Sequence, residues 1–248
     1  MEIMKGYEPF SYEGKSDIGV LVSQGFTGST SSVSYWGKKL AEAGFHIEGP
    51  RLTGHGTNWR DMDKIKYQDW IRDEEDALNK LKKRAGTIFC AGLSMGGSLM
   101  LYLAAKYPEI KGVILVNHAI ELKNISIPFI PLLKYILPSV KAIGSDIKDP
   151  NEKEIAYDRT PTAGVYQMSL LLSKIRKVLG KIHQPVMMMK SKEDHVLPIN
   201  NSIYTFDHLQ CEQKELIWLE NSYHVATTDF DKDIIVSKTI DFIKKYSV

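Results

Sequence analysis

Three side chains that can pass a proton among themselves stand far apart in this 248-residue chain, each in a stretch that reads as a loop. Ser94 lies in Gly92-Leu93-Ser94-Met95-Gly96, the pattern G-x-S-x-G. Asp194 lies in SKEDHVLP (191–198) and His224 in ENSYHVATTD (220–229). A serine hydroxyl is a poor nucleophile until a base takes its proton. In this arrangement His224 would be the base, and Asp194 would accept a hydrogen bond from its ring and hold the tautomer. The chemistry on offer is attack on a carbonyl carbon, and the chain order serine, acid, histidine is that of loops following successive strands of one sheet.

The bare pentapeptide also occurs as a plain glycine turn. Its surroundings favour a nucleophile elbow: TIFCAGL before it reads as a strand and MGGSLMLYLAAKY after it as a helix. Glycines two before and two after the serine would leave room for the backbone. Glu193 competes with Asp194 for the acid, but Asp194 holds the turn-like place before a helix opened by Pro198. His195 adjoins the acid and is awkwardly placed as its base, so a surface or supporting role is expected. His46, His183 and His208 fall at strand or helix positions, whereas His55 and His118 could line or brace the site. The oxyanion of an acyl-transfer intermediate needs amide donors: the Met95 N–H, directly after the nucleophile, and the Phe26 N–H in Gln24-Gly25-Phe26-Thr27-Gly28.

These loops require a sheet beneath them. Apolar β-branched runs alternate with helical patterns: strand Ile18–Ser23, helix Val33–Ala43, strand Phe45–Pro50, helix Tyr67–Lys83, strand Thr87–Gly92, helix Met95–Lys106 and strand Gly112–Asn117. In the second helix Trp70, Ile71, Ala77, Leu78 and Leu81 mark the apolar face, with charges expected opposite. The alternation resumes with strand Pro185–Lys190, helix Pro198–Leu209, strand Glu215–Leu219 and helix Asp231–Tyr246. That order predicts a mostly parallel sheet with helices on both faces, and a site beyond the carboxyl ends of its strands. Residues 119–181 interrupt it without an obvious sheet strand and read as a cap inserted into one domain spanning 1–248. The stretch IPFIPLLKYILP (127–138) serves equally as cap core or as an apolar rim.

A net charge of +2 with no basic block gives no reason to expect nucleic acid as a partner. The first residues, MEIMKGYEPFSYEGK, hold no apolar run of the secretory kind, so a cytoplasmic protein is expected. Cys90 and Cys211 lack zinc-type spacing and no H-E-x-x-H occurs, so no metal is expected; Cys90 reads as a buried thiol.

QGFTGST (24–30), PRLTGHGT (50–57), AGLSMGG (91–97), IGSDIKDP (143–150), AYDRTPTA (156–163), EDHVLP (193–198) and NSYHVATTD (221–229) together resemble the α/β-hydrolase family, in its branch of bacterial monoacylglycerol lipases and small carboxylesterases. The resemblance runs over nearly the whole chain. It implies an α/β-hydrolase fold, Ser94, Asp194 and His224 as triad, the Phe26 and Met95 amides as oxyanion hole, no cofactor, and an ester such as a monoacylglycerol as substrate. It makes Glu154 a candidate for the glycerol hydroxyls, against a solvated cap carboxylate, and Ile143 a candidate apolar wall. An apolar rim would touch a micelle or membrane surface transiently. Where the family usually has His-Gly-Phe-Thr-Gly this chain has Gln24, which can still brace the loop. A general carboxylesterase, a thioesterase, a carbon–carbon hydrolase and a non-catalytic binding member of the fold are the other readings. Trp36, Trp59 and Tyr67 fit either core or pocket lining.

Overall fold

The computed structural model describes residues 3–122, 136–142 and 145–247. Nine strands and six α-helices are named along them: β1 Phe10–Tyr12, β2 Ile18–Ser23, α1 Ser31–Glu42, β3 His46–Gly49, α2 Tyr67–Leu81, β4 Thr87–Leu93, α3 Met95–Lys106, β5 Gly112–Val116, β6 Ser139–Lys141, β7 Arg159–Pro161, α4 Thr162–Arg176, β8 Val186–Ser191, α5 Asn200–His208, β9 Lys214–Leu219 and α6 Lys232–Tyr246. Among the described residues one sheet has the order β1-β3-β2-β4-β5-β8-β9. All its neighbours run parallel except the edge pair of β1 with β3. Val20 faces Ile47 on one side and Phe89 on the other, so β2 is held in register from both flanks.

The period of two along each strand divides the core. Cys90 of β4, Val113 and Leu115 of β5 and Met188 of β8 point into one layer with Trp70, Leu78, Leu99 and Leu171 from α2, α3 and α4. Phe89, Ala91, Ile114 and Met187 point into the other, with Val33, Trp36 and Leu40 of α1 and Ile235, Phe242 and Ile243 of α6. Strands covered on both faces must be apolar throughout, which is why β4 and β5 read as unbroken hydrophobic runs. Trp36 is core: its Nε1 donates to Thr239 Oγ1 at 3.1 Å, joining α1 to α6. Tyr67 packs beside the first layer and Trp59 beside a small cluster of Tyr7, Met62 and Tyr157.

Two features depart from the sequence reading. The edge strand β1 was not expected; its three residues carry too short an alternation to register as a period. In α2, Glu74 lies on the apolar face, fully buried, rather than opposite it. Between β5 and β8 the chain leaves the sheet and forms the β6–β7 antiparallel ribbon and α4. Ile143 and residues 127–135 of the apolar stretch fall outside the described residues. No helix among those described is long and apolar enough to cross a membrane.

Candidate active site

β4 ends one residue before Ser94 and α3 begins one residue after it. The serine backbone has φ 53° and ψ −120°, a conformation that non-glycine residues adopt only when their surroundings force it, at about 1–3 kcal/mol. The glycines show what forces it. A Cβ at Gly92 would run into the backbone of Gly96 and Gly97, and one at Gly96 into the carbonyls of Ser23 and Gln24. The turn is closed by Ser94 N–H donating to Val116 O (2.9 Å) and by Ala119 N–H donating to Ser94 O (3.3 Å).

Ser94 Oγ stands 3.0 Å from His224 Nε2, and His224 Nδ1 stands 3.0 Å from Asp194 Oδ2. The three side chains that the sequence placed in separate loops therefore meet. With Nδ1 donating to the carboxylate, Nε2 is free to accept the serine proton. Asp194 Oδ1 accepts from the Val196 and Leu197 amides, both at 2.9 Å, and Oδ2 also accepts from the buried Lys190 ammonium. Burial pushes this carboxyl up, but the His224 hydrogen bond and charge, Lys190 and the Leu197 amide outweigh it and hold Asp194 below the usual carboxylate range. Glu193, the rejected competitor, points outward to Lys148 Nζ at 2.8 Å.

The histidine loop is fixed by residues that sequence reasoning passed over. Asn117, at φ 43° just after β5, donates through Nδ2 to His224 O (2.8 Å) and Ser191 Oγ (2.9 Å), and its Oδ1 accepts from Ser191 N–H (2.8 Å). Asp146 accepts from the His224 amide (3.0 Å) and from His195 Nδ1 (2.8 Å), so it joins the loops of acid and base. His195 is more than half exposed, as expected of a supporting residue. Asp229 returns the clasp, accepting from the Lys148 (2.8 Å), Asp149 (3.0 Å), Tyr223 (2.9 Å) and Phe230 (2.8 Å) amides. Asp146 and Asp229 lie in the quoted stretches 143–150 and 221–229, but a carboxylate that binds amides some eighty positions away leaves no local pattern.

On the other flank, the loop after β2 lies against the nucleophile: a Cβ on Gly25 would be 3.3 Å from Ser94 Cβ. Gln24 Nε2 donates to Gly28 O at 3.3 Å, so the bracing expected of it is present. Thr27, at φ 60°, donates its amide to His55 Nε2 at 3.2 Å, and His55 Nδ1 lies 3.4 Å from Thr53 O. Burial drives His55 down to about 4, leaving it neutral. His118 is likewise buried, with Nε2 2.8 Å from Thr205 Oγ1, and burial followed by the Lys190 charge takes it down to about 3. The Phe26 ring packs edge-on against Trp70 and His55. The Met95 amide opens α3, where first-turn N–H groups have no partner within the helix. His46 accepts from the Gly14 amide in β3 and His208 ends α5, but His183 is exposed in a loop, not in a strand or helix.

Glu154 reaches the same neighbourhood: a Cβ on Gly28 would lie 2.8 Å from its Oε1. Burial pushes this carboxyl up to about 7, with the His224 charge opposing and Asp146 adding. Among the described residues no group of three or more His, Cys, Asp and Glu is placed to hold a metal ion.

This arrangement can deprotonate a serine, stabilise the imidazolium that results and offer amide dipoles to an oxyanion. A family model described as Hydrolase_4, serine aminopeptidase S33, matches residues 14–231. A thermostable monoacylglycerol lipase of Bacillus sp. (strain H-257) is 38% identical over 248 residues, covering 99% of this chain and 97% of that protein. A carboxylesterase of Bacillus subtilis (strain 168) is 26% identical, covering 96% of each. Among solved structures, one for the metagenome-derived lipolytic enzymes LipS and LipT superposes with a TM-score of 0.95 at 37% identity, over 98% of this chain and all of that one. The fold is that of the α/β-hydrolases.

Proposed function

Because the chain belongs to the Hydrolase_4 family, serine aminopeptidase S33, we propose that it hydrolyses monoacylglycerols to glycerol and a fatty acid through an acyl-enzyme on Ser94. It is a carboxylic ester hydrolase. The observation that carries the mechanism is the unbroken contact from Ser94 Oγ through the His224 ring to Asp194, with 3.0 Å at each step. His224 takes the serine proton as Oγ attacks the ester carbonyl, and the Phe26 and Met95 amides receive the oxyanion. The tetrahedral intermediate collapses, His224 gives its proton to the departing glycerol oxygen, and the acyl group stays on Ser94. Water then enters, is deprotonated by His224 and releases the acid, regenerating the serine. No cofactor enters either half-reaction.

The choice of substrate is supported by the 38% identity to the Bacillus lipase and by Glu154. A carboxyl that titrates near 7 beside the base can both donate to and accept from a glycerol hydroxyl. The interruption 119–181 would carry the cap, while its helix α4 packs with α2 and α3 over the sheet. Exposed Ile136, Leu137 and Val140 at the start of its ribbon support a passing contact with a micelle or membrane surface. The cytoplasmic location expected from the sequence belongs to the same proposal.

The test is a rate profile on mono-, di- and triacylglycerols with Ser94→Ala as control. Monoacylglycerol should be preferred and the variant inert. A preference for triacylglycerol would reject the substrate, and turnover by the variant would reject the mechanism. The identity to the Bacillus subtilis carboxylesterase favours a second reading, a short- to medium-chain carboxylesterase. Activity on simple esters and none on any glyceride would select it.

A further inference from the structure

Lys190 is buried in β8, its side chain 0% exposed, and precedes the acid by four residues. Its neighbours along the strand are Met187, Met188, Met189 and Ser191. A methionine there would meet the packing demand, whereas a buried ammonium is costly unless charge and hydrogen bonds offset it. Both offsets come from the acid loop: Nζ donates to Asp194 Oδ2 and to Leu197 O, the latter at 2.8 Å. The acid does not need the lysine in order to be fixed. Its Oδ1 holds two backbone amides and its Oδ2 already holds His224 Nδ1.

We propose that Lys190 is a positioning residue of the triad that shares Asp194 Oδ2 with His224 and so weakens that carboxylate's grip on the imidazolium. This rests on the serine-hydrolase reading above. A cation on the oxygen that the imidazolium also uses repels the charged form of the ring. The other titratable groups at this point are Asp146, which accepts the His224 amide, His195, raised by its hydrogen bond to Asp146 and by the Asp146 and Asp194 charges, Glu154, which feels the His224 charge, and His118, buried and neutral. Burial holds the lysine's own proton affinity below its ordinary value, and the charge and hydrogen bond of Asp194, with the charge of Asp146, offset that only in part.

The test is the pH dependence of kcat/KM on a p-nitrophenyl ester for wild type, Lys190→Met and Lys190→Gln. Both variants remove the charge. In both, the acid limb should move up by about one pH unit, with KM changed less than about threefold. The shift should persist in a Glu154→Gln background, which takes the carboxyl pushed up to about 7 out of the profile. Superimposable limbs in active variants overturn the proposal, and so does failure of both variants to fold, which makes the ammonium a structural counter-charge. Ser94→Ala run alongside keeps the two readings apart: turnover in that variant sinks the serine mechanism, whatever Lys190 does.

Discussion

The two flanks of Ser94 are buried alike and wired in opposite ways. On the acid–base flank Lys190, Asp194, Asp146 and Asp229 carry charge, and each is met by donors or acceptors. On the flank behind the β2 loop, Gln24, His55 and Glu74 are 0% exposed and uncharged near neutrality. Burial drives His55 down to about 4 and Glu74 up to about 8. Glu74 accepts from Ser23 Oγ, but its Oε2 and the Gln24 Oε1 find no partner among the described residues. Desolvation presses on Asp194 and Glu74 in the same direction; the supply of donors decides which one ionises. The difference suits the chemistry. One flank must stabilise an imidazolium, while the other must offer its amide dipoles to the oxyanion.

The largest break in that contrast comes at its centre. Ser94→Ala should cut kcat by about 10⁴- to 10⁶-fold with the fold intact, measured by ester turnover and by labelling with a fluorophosphonate. Asp194→Asn should lose about 10³- to 10⁴-fold, because an amide in that place favours the wrong tautomer of His224. Retained turnover in either would mean that the charged flank is not the catalytic one.

A smaller loss is expected one layer out. Asn117→Ala removes the donor to His224 O and the acceptor of the Ser191 amide, both in buried surroundings. Each group stranded in this way costs roughly 1–3 kcal/mol, so the melting temperature should fall by several degrees. The value of kcat should drop about ten- to a hundredfold, with KM nearly unchanged, because the base moves while the acyl site stays. A rise in KM at constant kcat would place Asn117 in substrate binding and blur the contrast between the flanks.

How much of this was legible follows from the range of the interactions. Each triad residue stands just beyond a strand readable as an apolar run, and residue type and chain order supplied the rest. The glycines at 92 and 96 announced a tight turn, although only the coordinates show that Gly96 makes way for the Ser23 and Gln24 carbonyls. The partners of those residues were hidden. Asn117, Asp146 and Asp229 reach partners as far as 107, 78 and 81 positions away, and periodicity carries no record of such distances. Lys190 reads in the sequence only as the last residue of a strand, since a single cation after three methionines carries no mark of its burial. Glu74 could have been found: positions 70, 74, 78 and 81 share one helix face, so the 3.6-residue repeat already placed it among Trp70, Leu78 and Leu81.

The mildest perturbation tests the neutral flank through Glu74. Its folded-state value, raised to about 8 by burial first and by Asp73, lies above the ordinary 4.5, while the Ser23 hydroxyl pulls the other way. Between those values the native state holds a proton that the unfolded chain has released. The stability that this group contributes is therefore complete below about 4.5 and is lost as pH rises through about 8. Glu74→Gln keeps the shape, still accepts from Ser23 and cannot ionise. Chemical denaturation at pH 6 and pH 9 should show wild type losing stability over that interval while the variant holds. The two should diverge by on the order of a few kcal/mol. Turnover at pH 7 should differ by less than about twofold, because a protonated carboxyl and an amide present the same charge to the oxyanion loop. Parallel loss of stability in the two proteins would mean that Glu74 is already ionised in the fold. The flank behind the oxyanion loop would then carry charge like the other, and the supply of donors would no longer distinguish them.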